Sequence, residues 1–340
     1  RARGHNEVIY LKPLLLVAFI GTLVSCANLN ATKSASTQGA ISRDAKPGTS
    51  ENENISKDDS PPKIILRGEK IGSRRTIESE KPATFLASNR RVSSVAFSND
   101  GSRLATGSDD TTIRLWNIRT GTRENVLAGH SDGIIDVAFS FDGKILASGG
   151  WDRRVILWNV RSGRKIRTLR GHREGVTAVR FTPNSKNVIS ASMDGSIRVW
   201  NAHTGKRLAT LGGHGLPINS ISVSADGKFL LSGGADKVVR LWDLDLLSEV
   251  KQFPSDDGII KAVLFGHDID SFYAAGTGLH IAKWSRETGE ITKKFGDNLP
   301  TVNSISLSND GRRLVSADTV TTRIWDTRSG TELANFNKHK

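Results

Sequence analysis

Residues 134–163 read IIDVAFSFDGKILASGGWDRRVILWNVRSG. Ile135, Val137 and Phe139 alternate with small or polar neighbours, the period of a strand with one buried face. Ser140-Phe141-Asp142-Gly143 follows as a hairpin turn whose glycine takes a positive φ at no steric cost. Lys144 to Ser148 then predict a second strand and Val155 to Val160 a third. After a turn at Ser162-Gly163, Lys165 to Leu169 predict a fourth. Four antiparallel strands joined by tight turns make one small sheet, which cannot cover both of its own faces.

The chain repeats that sheet. Trp116, Trp158, Trp200, Trp242, Trp284 and Trp325 stand 42, 42, 42, 42 and 41 residues apart. The hairpin turn recurs as Asn99-Asp100-Gly101, Ala225-Asp226-Gly227 and Asn309-Asp310-Gly311. A period of about 40–45 residues marks an all-β propeller of four-stranded antiparallel blades. Stacked neighbours bury the faces that one blade leaves open.

Three repeats carry a further constellation: His130, Ser148, Asp152, Trp158; His172, Ser190, Asp194, Trp200; and His214, Ser232, Asp236, Trp242. Each Asp lies six residues before its Trp, and each His follows a Gly. These residues resemble the WD-repeat family over roughly residues 83–340. The resemblance implies a hydrogen-bonded chain from Asp through His and Ser to the indole N–H, a structural network that stabilises only when every member is satisfied. Ser148, His130 and Asp152 also have the composition of a catalytic triad. Repetition in three blades argues against that reading, since an enzyme needs one such site and a fold needs one per blade. The other repeats depart from the pattern. The Trp116 repeat has Thr106 and Asp110 but no His. The Trp284 repeat has Ala274 and Gly278 at the Ser and Asp positions. The Trp325 repeat has Ser316, with Asp318 one residue further from the Trp.

Six runs of first, second and third strands are visible, against seven candidates for the fourth. The additional one, Thr84 to Ser88, precedes the first repeat and in the family's manner is expected to complete the last blade. The count predicts a fragment of a ring with seven or more blades; a six-bladed ring with a spare strand is the rival. The N-terminus supplies an address. Arg1, Arg3 and Lys12 precede an uncharged run from Leu14 to Ser25, too short to span a bilayer but suited to a signal peptide. It ends in Leu23-Val24-Ser25-Cys26, which resembles a bacterial lipobox, and Cys26 is the only cysteine in the chain. The expected organisation is a signal peptide at 1–25, a lipidated Cys26 with a tether to residue 62, a connecting segment at 63–82, and the propeller at 83–340. The implied location is a bacterial envelope, at the outer membrane or cell surface rather than the inner membrane. Residues 27–62 hold too few apolar groups to offset their ordering entropy. As a flexible coil these 36 residues span about 30–36 Å.

The net charge is +13, of which residues 1–82 hold 13 basic against 9 acidic residues, leaving +9 on the repeats. A basic surface favours anionic partners, but no dense basic run interleaves with aromatics as in single-strand binders, so nucleic acid is not the expected partner. Arg114, Arg198, Arg240 and Arg323 stand two residues before their Trp and are expected to lie over neighbouring side chains. Residues just before the Asp positions should point to the docking face: Asp109, Trp151, Met193 and Ala235. Trp151 and Met193 predict adjacent exposed apolar side chains, as enriched at interfaces, with Arg90, Arg91, Arg173, Glu174, Leu216 and Pro217 around them. No His, Cys or carboxylate cluster has metal-ligand spacing and no phosphate-binding glycine loop is present. Neither cofactor, metal nor small-molecule substrate is therefore expected. The reading is a non-catalytic protein-binding scaffold held at a membrane by its lipid anchor. The alternatives are a cytoplasmic scaffold of the same fold and a propeller enzyme, or part of a larger enzyme.

Overall fold

In the computed structural model the described residues are 90–255, 258–278 and 280–337, together with three strands at Ile9–Leu11, Lys63–Leu66 and Ala83–Leu86. Six four-stranded antiparallel sheets follow one another along the chain, at residues 92–128, 134–170, 176–212, 218–254, 260–295 and 304–337. We number these blades 1 to 6. In each, the strands lie side by side in chain order, with the first innermost. Blade 2 runs Ile134–Phe139, Ile145–Gly150, Arg154–Asn159 and Lys165–Arg170, within two residues of the boundaries that alternation and turn residues predict.

The register explains why Trp recurs. In every blade the pairing of third and fourth strands slips by one residue immediately before the Trp, as between Leu157 and Trp158. Such a bulge bends the strand and raises its twist. The six indoles are at most 7% exposed. The turns obey their chemistry too: Ser140 Oγ donates to Asp142 Oδ1 at 2.6 Å, and Gly143 takes φ +68°.

Inner strands of successive blades pack side by side from blade 1 to blade 6. One apolar cluster fills each of these five junctions. Between blades 1 and 2 it includes Leu115, Leu127, Ile134, Val137 and Trp158, with counterparts at the other four. Polar struts reinforce them. Thr177 Oγ1 donates to Ile218 O at 2.6 Å and Asn219 Nδ2 to Ile260 O at 2.7 Å. At the rim, Arg167 Nε donates to His203 O at 2.8 Å and Lys251 Nζ to Glu287 O at 2.6 Å.

Among the described residues no cluster joins blade 6 to blade 1. Val92 and Val95 are half-buried, whereas their counterparts Ile134 and Val137 are 0% and 2% exposed. Phe336 is likewise half-buried, while Leu127, Leu169, Leu211, Phe253 and Phe295 at the same position are all buried. Thr84 to Leu86, the described part of the segment expected as an outer strand at 84–88, do not pair within blade 6. Glu332–Asn337 already occupies that position, and Ala83–Leu86 instead pairs antiparallel with Lys63–Leu66, which pairs in parallel with Ile9–Leu11. The remainder of the expected signal peptide, Cys26 and the tether at 27–62 lie outside the described residues.

Candidate functional site

The polar residues shared by blades 2, 3 and 4 meet at one end of each blade. In blade 2, Trp158 Nε1 donates to Ser148 Oγ at 2.9 Å, Ser148 Oγ lies 2.8 Å from His130 Nε2, and His130 Nδ1 lies 2.9 Å from Asp152 Oδ1. Blade 3 repeats this through Trp200, Ser190, His172 and Asp194 at 2.9, 2.8 and 3.1 Å. Blade 4 repeats it through Trp242, Ser232, His214 and Asp236 at 2.8, 2.7 and 2.8 Å. A neutral imidazole with its proton on Nδ1 satisfies every member. The indole donates to the hydroxyl, the hydroxyl to Nε2, and Nδ1–H to the carboxylate. The glycine before His130 is there for space, since a Cβ on Gly129 would stand 2.8 Å from the Trp158 ring.

Electrostatics agrees with that proton arrangement. Burial pushes His172 and His214 below the usual imidazole range, although their Asp partners pull the other way. For Asp194 burial opposes ionisation. Hydrogen bonds from the Ser196 hydroxyl and from the Arg173 and Ser196 amides outweigh it and hold the carboxyl well below the usual range. Burial likewise opposes ionisation of Asp152, whose value is lowered by His130 and by the amides of Ser131 and Arg154.

Asp109, Trp151, Met193 and Ala235 occupy one structural position. Each amide donates at 2.8–3.0 Å to the loop before its own blade's first strand, at Arg91 O, Gly133 O, Gly175 O and Pro217 O respectively. Trp151 is 45% exposed. Its indole lies between two loop glycines, with Cβ positions on Gly133 and Gly175 falling 3.4 and 3.2 Å from the ring. Met193 is only half-buried rather than exposed, as are Asp109 and Ala235. The apolar patch is therefore centred on Trp151, with Leu216, 50% exposed, further round. Arg90, Arg91, Arg153 and Arg173 are exposed on the same loops and turns, and Arg91 Nε reaches Asp109 Oδ2 at 3.2 Å.

Four consecutive segments, residues 80–117, 121–159, 163–201 and 205–243, match the family model of the WD domain, G-beta repeat. The chain is a WD-repeat β-propeller. No curated protein shows a significant match to it. The matched segments end one residue after the Trp of blades 1 to 4, and the fifth and sixth blades are not among them. In blade 6, Trp325 Nε1 still donates to Ser316 at 2.9 Å, but Asp318 is taken by Arg323 Nη1 at 2.7 Å. In blade 1, Trp116 Nε1 donates to Thr106 Oγ1 at 3.1 Å and Asp110 receives Arg114 at 2.9 Å. In blade 5, Ala274 offers no acceptor. The WD-repeat arginines thus do more than lie over neighbours. Arg114, Arg240 and Arg323 ion-pair with the Asp of their own blade, and Arg198 is buried near Asp194.

Ser148, His130 and Asp152 have the distances of a catalytic triad, yet Ser148 is 0% exposed and its Oγ already receives an indole N–H. A nucleophile needs an approach for substrate, and this hydroxyl has none. Alternation and motif did not single out Asp136. It receives Ser94 Oγ from blade 1 at 2.9 Å, and the Val179 amide and Arg180 from blade 3 at 2.9 and 2.6 Å. It ties three blades together.

Proposed function

We propose that this WD-repeat propeller is a non-catalytic protein-binding scaffold whose docking surface is the loop face centred on Trp151, and that Cys26 tethers it to a bacterial envelope membrane. Propellers of this family are commonly interaction scaffolds. The observation that carries the reading is the half-exposed Trp151 indole, braced between two glycine loops on a fixed turn. Large aromatic side chains held rigidly lose little entropy on contact, which is where binding energy concentrates. The arginines around it favour a partner loop that offers an apolar side chain flanked by carboxylates. Tethering raises the effective concentration of such a scaffold near membrane-associated partners. The tether rests on the sequence: a short apolar run ending in Leu23-Val24-Ser25-Cys26, then a polar stretch.

The test is affinity capture of envelope proteins on the immobilised chain, comparing wild type with Trp151→Ser and with Leu208→Ser on the outer rim. A protein retained by wild type and by the rim variant, but lost with Trp151→Ser, supports the docking face. Equal loss in both variants, or retention by all three, would remove it.

A further inference from the structure

Five of the six repeating indoles donate their N–H to a hydroxyl, namely those of Trp116, Trp158, Trp200, Trp242 and Trp325. Trp284 does not. The register of blade 5 is unchanged. Val263 pairs with Ala274 as Val137 pairs with Ser148 in blade 2, and Phe272 pairs with Trp284 as Leu146 pairs with Trp158. Ala274 therefore stands where the acceptor hydroxyl should be. Trp284 is 7% exposed, and its Nε1 is buried with no hydrogen-bond partner.

The ring cannot simply turn to find solvent. Phe272 stacks on it at 6.0 Å with the planes 2° apart, and Phe253 meets it edge-on at 6.1 Å. Beside it lies a cavity of about 20 Å³, with Ala274, Gly276, Gly278, His280 and Trp284 in its wall. The space has a cause in the sequence: alanine and glycine replace the Ser and Asp of blades 2 to 4. An empty cavity persists when its lining is apolar, whereas one with room for a water, about 10–15 Å³, and two or more polar groups in its wall is filled. The buried Trp284 Nε1 and His280 Nε2 belong to residues of this wall. At about 20 Å³ this cavity clears that limit and has room for one water molecule.

We propose that blade 5 contains a binding site for one hydrogen-bond-accepting oxygen, an internal water molecule that receives the Trp284 N–H. The water does in this blade what the serine hydroxyl does in its neighbours. The site marks blade 5 as the blade whose Trp is held by a ligand exchanging with solvent and not by a covalently attached group.

The test is proton NMR on the full chain labelled with ¹⁵N-tryptophan, with the Trp284 indole resonance assigned through Trp284→Phe. A cross-peak between bulk-exchangeable water and the Trp284 indole N–H is expected, with none at Trp116, Trp158, Trp200, Trp242 or Trp325. Ala274→Ser should abolish it and move the resonance toward those five. Ala274→Val, which fills the space without supplying an acceptor, should abolish it and lower the melting temperature by several degrees. Absence of the cross-peak in wild type, or its persistence in both variants, would overturn the proposal.

Discussion

Gly149 and Val176 set how closely blades 2 and 3 approach: a Cβ on Gly149 would stand 2.6 Å from Val176 Cγ1 and 3.1 Å from Val176 O. Val176 is 0% exposed and belongs to the cluster that fills this junction, so neither side can retreat without opening the core. Gly149→Ala should therefore destabilise by about 1–3 kcal/mol, the usual cost of overpacking a filled core. Gly212→Ala is the control, because nothing lies within 4 Å of its Cβ position; it should change stability by less than about 0.5 kcal/mol. Denaturant unfolding of the two variants measures both.

Acid should weaken the fold in two stages. Burial holds His172 and His214 below the ordinary imidazole range in the folded chain, while the unfolded chain takes up those protons near pH 6.5. Below about pH 6.5 the unfolded state binds more protons, so stability falls as pH falls. Asp152 and Asp194 act with the same sign further down. Burial opposes their ionisation, but their hydrogen bonds outweigh it. Their contribution is complete above the unfolded carboxylate value near 3.9 and is lost as pH falls through the folded ones. Urea midpoints between pH 7.5 and 4 should fall monotonically, beginning near 6.5. A flat profile down to pH 5 would contradict the neutral, Nδ1-protonated networks.

Phe336 and Phe295 hold the same place in adjacent blades but differ in burial, 0% exposed for Phe295 and half-buried for Phe336. Phe295→Ala should cost about 3–5 kcal/mol. Phe336→Ala, with less surface withdrawn from water and no described cluster around it, should cost about 1–2 kcal/mol. Equal losses would mean that the junction beyond blade 6 is as well packed as the others.

Lipid attachment has its own expected outcome. In a bacterial host, an alkyne palmitate analogue should label the wild-type chain, and Cys26→Ala should remove the label and shift the protein out of the membrane fraction. Failure to label either form, alongside a labelled control lipoprotein, would leave the propeller without its proposed anchor.

Much of this architecture was legible because a propeller repeats its constraints. Strand positions followed from alternation and from turn glycines such as Gly143, and the His130, Ser148, Asp152 and Trp158 set followed from recurrence. What depends on three-dimensional neighbours was not legible. Met193 looks like Trp151 in the repeat, yet it is half-buried, because burial at that turn depends on the loops around it and not on register. Arg114, Arg240 and Arg323 read as cover for neighbouring side chains, and only the fold brings them to the carboxylates of Asp110, Asp236 and Asp318. Asp136 spans three blades through contacts 42 to 44 residues apart, which no local pattern encodes. The partner of the segment near Phe85, the strand Lys63–Leu66, lies outside the repeats and is set by no repeat position.

Docking of partners on the loop face around Trp151 is open to site-specific photo-crosslinking in living cells. A benzophenone amino acid placed at position 151, with the same residue at Leu208 on the exposed outer rim as control, reports which face meets another protein. A discrete ultraviolet-dependent adduct is expected from position 151 and none from 208. No adduct at 151, or the same adduct from both positions, would contradict docking at this face.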